Sequence, residues 1–368
     1  MHRYFLVAFY VVVTIQCLYY LIFIIPILFK KKNGISKDIP ISVIICAKNE
    51  ATNLRSFLPS IISQKYKGIF EIVLINDRSI DITAEVIDEF AKEFNYIKVV
   101  NINDCENFWG NKKYALTLGI KSASHEHLLF TDADCKPKHA SWIQEMASSF
   151  SDTKSIVLGY GGYESIKGSF LNKIIRYETL LTAAQYFSYA KLGLPYMGVG
   201  RNLAYTKTEF FKVNGFIKHI KIKSGDDDLF INEVANSHNI TLNLNKESFT
   251  ESVAKKTWKE WLRQKRRHVS TANHYKTKHK IALGIFYLSQ LSFFILAILL
   301  LLLIEEKKTI YLIISFRYVI VITSLGIFSN KLKEKDLTFI LPFVEIILIF
   351  LQLYIYLRNK TAAPVQWH

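Results

Sequence analysis

Residues 127–135 read His-Leu-Leu-Phe-Thr-Asp-Ala-Asp-Cys, HLLFTDADC. Leu128, Leu129, Phe130 and Thr131 are apolar or β-capable and predict a short buried strand that runs straight into Asp132-Ala133-Asp134. Two carboxylates at i and i+2 just past a strand end can both reach one point, which is what a hard divalent cation such as Mg2+ or Mn2+ requires. Alone, an Asp-x-Asp triplet is more often a solvated turn, so its meaning depends on the chain around it.

Working outward, residues 41–46 (ISVIIC) form a near-continuous apolar run, the mark of a strand buried on both faces of a parallel sheet. Its end meets Ala47-Lys48-Asn49-Glu50, and a helix is expected over 53–63. The alternation repeats with a strand at 70–76 (FEIVLIN), the polar loop Asp77-Arg78-Ser79-Ile80-Asp81 and a helix over 83–94. A strand at 97–102 and a helix at 112–122 then lead into the HLLF strand. Strands alternating with helices at this spacing predict an α/β fold, a doubly wound and mostly parallel sheet with helices on both faces. Ligands of such sheets bind beyond the carboxyl ends of the strands, where Asn49-Glu50, Asn76-Asp77 and Asp132-Asp134 all fall.

The rest of the composition points to a membrane. Residues 4–29 carry no charge, are long enough to cross a hydrocarbon core of about 30 Å, and are closed by Lys30, Lys31 and Lys32, as an uncleaved anchor would be. Residues 281–304, 309–328 and 337–357 are three further apolar spans. Lysine placement puts the segment after residue 32 in the cytoplasm and the C-terminus outside. Arg317 and Glu345 each lie eight residues into their spans, at depths close enough to make a buried ion pair feasible. The net charge of +16 is uneven: residues 251–280 hold ten Lys or Arg against two Glu, a surplus of eight and half the total. A basic band beside an apolar span suits an anionic leaflet, and without any RNA or DNA motif it argues against a nucleic-acid partner. The four cysteines, Cys17, Cys46, Cys105 and Cys135, show no ligand spacing and read as reduced structural thiols.

Several motifs in order over residues 41–271 resemble the inverting family-2 glycosyltransferases of GT-A fold, in their membrane-bound type. SVIICAKNE is similar to the opening strand and nucleotide loop, which implies Ala47, Asn49 and Glu50 near the base. INDRSID resembles the family's D-D-G-S-x-D loop, with Asp77 as the carboxylate toward base or ribose, Asn76 at the first Asp position and Arg78 at the Gly position. GNKKYALTLG is similar to a helix start that places Lys112 near the donor phosphates. TDADC implies Asp132 toward ribose and metal and Asp134 on the metal. SGDDDL (224–229) resembles E-D-x-D-L, which puts the catalytic base on Asp226, or on Asp227 after a one-residue slip, with Gly225 at the Glu position. GVGRNLAY resembles a segment that flanks the acceptor site. WKEWLRQKRRHVS (258–270) is an amphipathic basic helix whose Gln264, Arg267 and His268 are similar to Q-x-x-R-W, a motif that covers the donor diphosphate.

The resemblance implies a membrane-bound enzyme of the cell's inner (cytoplasmic) membrane, moving a sugar with inversion from a nucleotide (UDP-type) donor to a lipid or lipid-linked acceptor. The organisation expected is an anchor at 1–32, a cytoplasmic GT-A domain at 33–250, a basic interfacial helix at 251–280 and three membrane helices at 281–368. The alternatives are a processive polysaccharide synthase and a non-catalytic, membrane-tethered sugar-nucleotide binder.

Overall fold

The computed structural model describes residues 2–29, 38–102, 112–222 and 224–361. Lys30, Lys31, Lys32 and Cys105, which carried part of the sequence reading, lie outside the described residues. The chain divides into two compact units, one of residues 1–30, 167–188 and 257–364, the other of residues 31–166, 189–256 and 365–368. In chain order the helices α1 (His2–Leu28) and, later, α6 (Phe170–Lys191) belong wholly or mainly to the first, and the strands to the second.

The α/β unit opens with β1 (Ile41–Ala47), α2 (Ala51–Ile62), β2 (Phe70–Asn76), α3 (Thr83–Glu93), β3 (Ile97–Asn101), α4 (Lys112–Ser122) and β4 (His127–Asp132). All seven residues of β1 are buried, as an apolar run inside a two-sided sheet should be. On α4, a Cβ at Gly119 would stand 2.2 Å from Ile75 Cδ1, so the absence of a side chain lets the helix lie close on β2. The chain continues through β5 (Cys135–Pro137), α5 (Trp142–Ala147), β6 (Ile156–Leu158), β7 (Gly161–Tyr163), β8 (Leu203–Thr206), α7 (Lys207–Lys212), α8 (Asp228–Val234), β9 (Ile240–Leu242) and β10 (Thr250–Ser252).

The main sheet has the order β3-β2-β1-β4-β8-β6-β9. It is parallel from β3 through β4, as the alternation predicts, and mixed beyond, because β8 runs antiparallel to both β4 and β6. A second sheet, β5-β10-β7, pairs Cys135 with Ser252. The Asp132–Asp134 turn is thereby fixed from both sides, by β4 in the large sheet and β5 in the small one.

The other unit adds α9 (Trp258–Thr271), α10 (Thr277–Leu303), α11 (Lys308–Leu332) and α12 (Leu341–Thr361). Four helical stretches, Arg3–Leu28, Thr277–Leu303, Lys308–Leu332 and Lys335–Thr361, are long and apolar enough to cross a membrane. They contain the four apolar runs read from the sequence, short by one residue at Phe29 and at Ile304. The ion pair between Arg317 and Glu345 is present and wholly buried: Arg317 Nη1 donates to Glu345 Oε2 at 2.8 Å and Nη2 to Oε1. Arg317 Nε donates to Gln16 Oε1 at 2.7 Å, while Tyr20 OH and Gln290 Nε2 donate to Glu345 Oε1 at 3.1 and 3.3 Å. α6 fills residues 170–191. Its buried Arg176 binds Glu334 and Asp336, and its Glu178 receives Lys265 of α9.

Candidate active site

The ends of β1 and β2 are stitched together before any ligand is considered. Asp77 N donates to the Ala47 carbonyl at 2.8 Å, Asn49 N to Ser79 Oγ at 3.1 Å, and Ile80 N to Asn49 Oδ1 at 2.9 Å. Asn49 has φ 56°, a left-handed conformation that Asn tolerates better than most residues. Glu50 N donates to Thr83 Oγ1 at 2.9 Å, and its side chain accepts from Asn53. Asn76 accepts from Ser79 N at 3.2 Å and donates to Asn101 Oδ1 at 3.1 Å, a pair of roles that an ionised aspartate at this position could not combine. Asp77 is buried, and Arg78 donates to its Oδ1 from Nε (3.0 Å) and Nη2 (2.7 Å). Arg78 has φ 54°, which accounts for the Gly found at this position in the motif it resembles.

Lys112, at the start of α4, joins two distant parts of the chain. Its Nζ lies 2.8 Å from Asp132 Oδ1 and 3.2 Å from Asp226 Oδ2. Burial alone would lower the pKa of this ammonium, but Asp132 and Asp226 together hold it well above the usual lysine range. Burial likewise acts against ionised Asp226, yet Lys112 keeps that carboxyl below its ordinary value. Asp227 points into the same space under different constraints. Its Oδ2 accepts from Gly200 N at 2.8 Å and its Oδ1 from Asp228 N at 2.7 Å, so it braces the 200 loop against the start of α8. Burial, then the charges of Asp226 and Asp228, push it up to about 7. Gly225 has φ +86°, and a Cβ there would meet Leu229 at 2.6 Å, which explains why the Glu of the resembled motif is missing.

An open cavity is lined by Cys46, Lys112, Thr131, Asp132, Gly200, Tyr205, Asp226 and Asp227, among others. Beside it, ligand atoms of Asp132, Asp134 and Cys135 all lie within 4.8 Å of one another. Two carboxylates and a sulfur at this spacing fit a divalent cation. Burial and the charge of Asp132 raise the Asp134 pKa against the pull of Arg201, and Glu50 is raised by burial and by the charges of Asp134 and Asp132. The Asp-x-Asp turn, Glu50 and Lys112 with Asp226 thus converge, and Asp77 lies near Cys46, which lines the same cavity. Gln264, Arg267 and His268 lie on α9, in the unit that carries the four long apolar helices.

Three contributors were not singled out from sequence. Arg201 packs over the Tyr163 ring at 4.1 Å and donates to the Gly162 carbonyl at 2.8 Å; burial acts to lower its pKa, and Tyr163, Cys135, Asp134 and Asp132 together raise it. Buried Lys113 donates to the carbonyls of His219 (2.7 Å) and Ile222 (2.9 Å) and so pins the turn that precedes Asp226; burial lowers it to about 8. Lys255 opposes the burial that raises Asp134 and Glu50. Arg201 sits inside GVGRNLAY, a stretch already marked, whereas Lys113 beside Lys112 reads as one more solvated lysine.

Residues 42–211 match the model of the family described as Glycosyl transferase family 2. Among curated relatives, the chain is 40% identical over 94 residues to a poly-beta-1,6-N-acetyl-D-glucosamine synthase of Staphylococcus epidermidis, covering 26% of this chain and 21% of that one. It is 32% identical over 123 residues to a 4,4'-diaponeurosporenoate glycosyltransferase of Staphylococcus haemolyticus, covering 33% and 31%. The chain spans about half the length, or less, of the first curated relatives it matches. Among solved structures, a mannosyltransferase of Pyrobaculum calidifontis, in complex with GDP-Man and Mn2+, aligns over 94% of this chain and 98% of its own with a TM-score of 0.59 and 15% identity, a likeness of fold.

Proposed function

We propose that this chain, whose residues 42–211 match the Glycosyl transferase family 2 model and whose fold is of GT-A type, is a glycosyltransferase that takes a sugar from a nucleotide-sugar donor, of the UDP type, and delivers it with inversion to a lipid or lipid-linked acceptor at the cytoplasmic face of a bacterial inner membrane. The observation that carries this reading is the Lys112 bridge between Asp132 and Asp226 at one cavity. It brings a candidate phosphate-binding cation, a candidate metal carboxylate and a candidate base within one sugar's reach.

In this reading the nucleotide lies across the ends of β1 and β2, by Ala47, Asn49, Glu50 and Asp77. Asp134 and Asp132 would hold Mg2+ or Mn2+; the solved mannosyltransferase is in complex with Mn2+. A bound divalent cation would supply positive charge to the diphosphate as it departs. Lys112 contributes a second positive charge on that side. Asp226, ionised beside Lys112, takes the proton of the acceptor hydroxyl, whose oxygen forms a bond to the anomeric carbon from the face opposite the breaking bond to the diphosphate. Asp227 holds Gly200 and Asp228 in place and tunes Asp226. Gln264, Arg267 and His268 enter through the motif alone. Positive charge on the loops supports a cytoplasmic catalytic unit.

A polymer synthase is the second reading, favoured by 40% identity with the Staphylococcus epidermidis synthase over 94 residues. Three helices after the α/β unit, and the likeness to an enzyme named for a single carotenoid-type acceptor, support one transfer per acceptor. Membranes containing the full chain, incubated with a panel of nucleotide sugars and Mn2+, should release one nucleoside diphosphate. Mass spectrometry of the lipids should find one added sugar; a long polymer would select the synthase, and no release with any donor would remove the enzyme.

A further inference from the structure

The metal site of that reading contains one residue whose chemistry differs from the rest. Cys135 follows the Asp-x-Asp turn directly, is 1% exposed, and has its backbone fixed on β5 by pairing with Ser252. Its Sγ donates to Asp134 Oδ1 at 3.4 Å. A thiol is a weak donor, so it compensates the buried Asp134 charge poorly. The sulfur and the carboxylate oxygens of Asp132 and Asp134 lie within 4.8 Å of each other. Ligands around an ion at metal–ligand distances of about 2.0–2.6 Å can be at most about 4–5 Å apart, so the three atoms can meet one ion with little rearrangement.

We propose that Cys135 joins Asp132 and Asp134 as a third protein ligand when the ion is thiophilic, and that its sulfur makes the site take Cd2+, Zn2+ and Co2+ in preference to Mg2+. The inference rests on the metal site of the proposed function. With Mg2+ or Mn2+, hard ions, the two carboxylates suffice and the thiol keeps its proton. With a thiophilic ion the S–H bond breaks, the proton leaves to buffer, and a metal–sulfur bond forms with no change of oxidation state. Such ions should therefore hold the site against Mg2+ and inhibit transfer.

The test uses the purified full-length chain in detergent, titrated with Cd2+ alone and followed by sulfur-to-cadmium charge-transfer absorption in the ultraviolet. The expected result is a band saturating at one Cd2+ per chain, displaced by excess Mn2+, kept in Cys46→Ser and lost in Cys135→Ser. Cd2+ affinity in Cys135→Ser should fall about tenfold or more while Mn2+ binding, read by electron paramagnetic resonance, persists and shows that the variant folds. A band that survives in Cys135→Ser overturns the proposal. So does Mn2+ binding by the wild type with no cadmium band, which leaves the proposed function standing. A Cys135-dependent cadmium band without Mn2+ binding keeps the proposal and removes Mn2+ from the reaction. Absence of both cations from the wild type overturns the inference and the metal reading together.

Discussion

Among the long apolar helices each of the three nitrogens of Arg317 meets an oxygen of Gln16 or Glu345, and Tyr20 and Gln290 complete the carboxylate. In the α/β unit the carboxyl groups of Asp132, Asp134, Asp226 and Asp227 stand with Lys112 and Arg201, four potential negative charges with two positive. The first cluster is neutral, closed and wholly buried, so its partners need nothing from outside. The second borders an open cavity and carries an excess of acid, which shows in Asp227 at about 7 and in the raised Asp134 and Glu50. Buried ionic groups that satisfy one another specify structure; those left short of cations are poised for a charged ligand.

Breaking each cluster should therefore damage a different property. Asp226→Asn is expected to lower kcat by about 10²–10⁴-fold with donor affinity kept, as loss of a general base does. Asp134→Ala should abolish cation-dependent transfer while the thermal unfolding midpoint stays near that of the wild type. Turnover and donor binding unchanged in both variants would remove the site assignment. Arg317→Leu should do the reverse. It leaves Glu345 uncompensated in an apolar bundle at a cost of about 3 kcal/mol, seen as reduced yield of folded protein in detergent, whereas the double variant Arg317→Leu with Glu345→Leu should recover most of it. Equal losses in single and double variants would show that the pair acts in more than packing.

A pH profile sharpens the contrast within the site. Below about 7 Asp227 keeps its proton; above, its charge raises the proton affinity of neighbouring Asp226 and makes it a stronger base. The rate of transfer should rise between about pH 6 and about pH 8, by less than about tenfold, and this limb should vanish in Asp227→Asn. A limb that survives the substitution belongs to another group.

The parallel half of the sheet was legible because buried strands such as 41–46 and 70–76 leave continuous apolar runs, and the membrane helices leave longer ones. The Arg317–Glu345 pair was legible as a feasible one, because the two charges sit at similar depths in their apolar spans. The antiparallel return through β8 was not. LAYT is four residues long, and its partner β6 three, too short for any period to register. The small sheet of three-residue strands escaped for the same reason, and with it the setting that turns Cys135 toward Asp134. Lys113 was hidden because its meaning lies in carbonyls over a hundred positions away. Motif order named most of the converging residues, but not that Asp226 would sit against Lys112 while Asp227 is held by backbone amides.

The smallest effect expected comes from Gly225, and it separates a site from a scaffold. At φ +86° an alanine pays about 1–2 kcal/mol for the left-handed backbone, and its Cβ would press on Leu229 and on Asp228 Oδ1. The strain can relax only by moving Asp226 or α8, since Asp227 and Asp228 are tied to the backbone there. Gly225→Ala should therefore lower stability by about that amount in denaturant unfolding, and kcat should fall further than the stability loss alone explains. Gly225→Glu, which restores the residue of the resembled motif, should be no better. If either variant matched the wild type in stability and turnover, the backbone that presents Asp226 would be softer than its hydrogen bonds imply, and the acidic cluster would owe its arrangement to the bound donor instead.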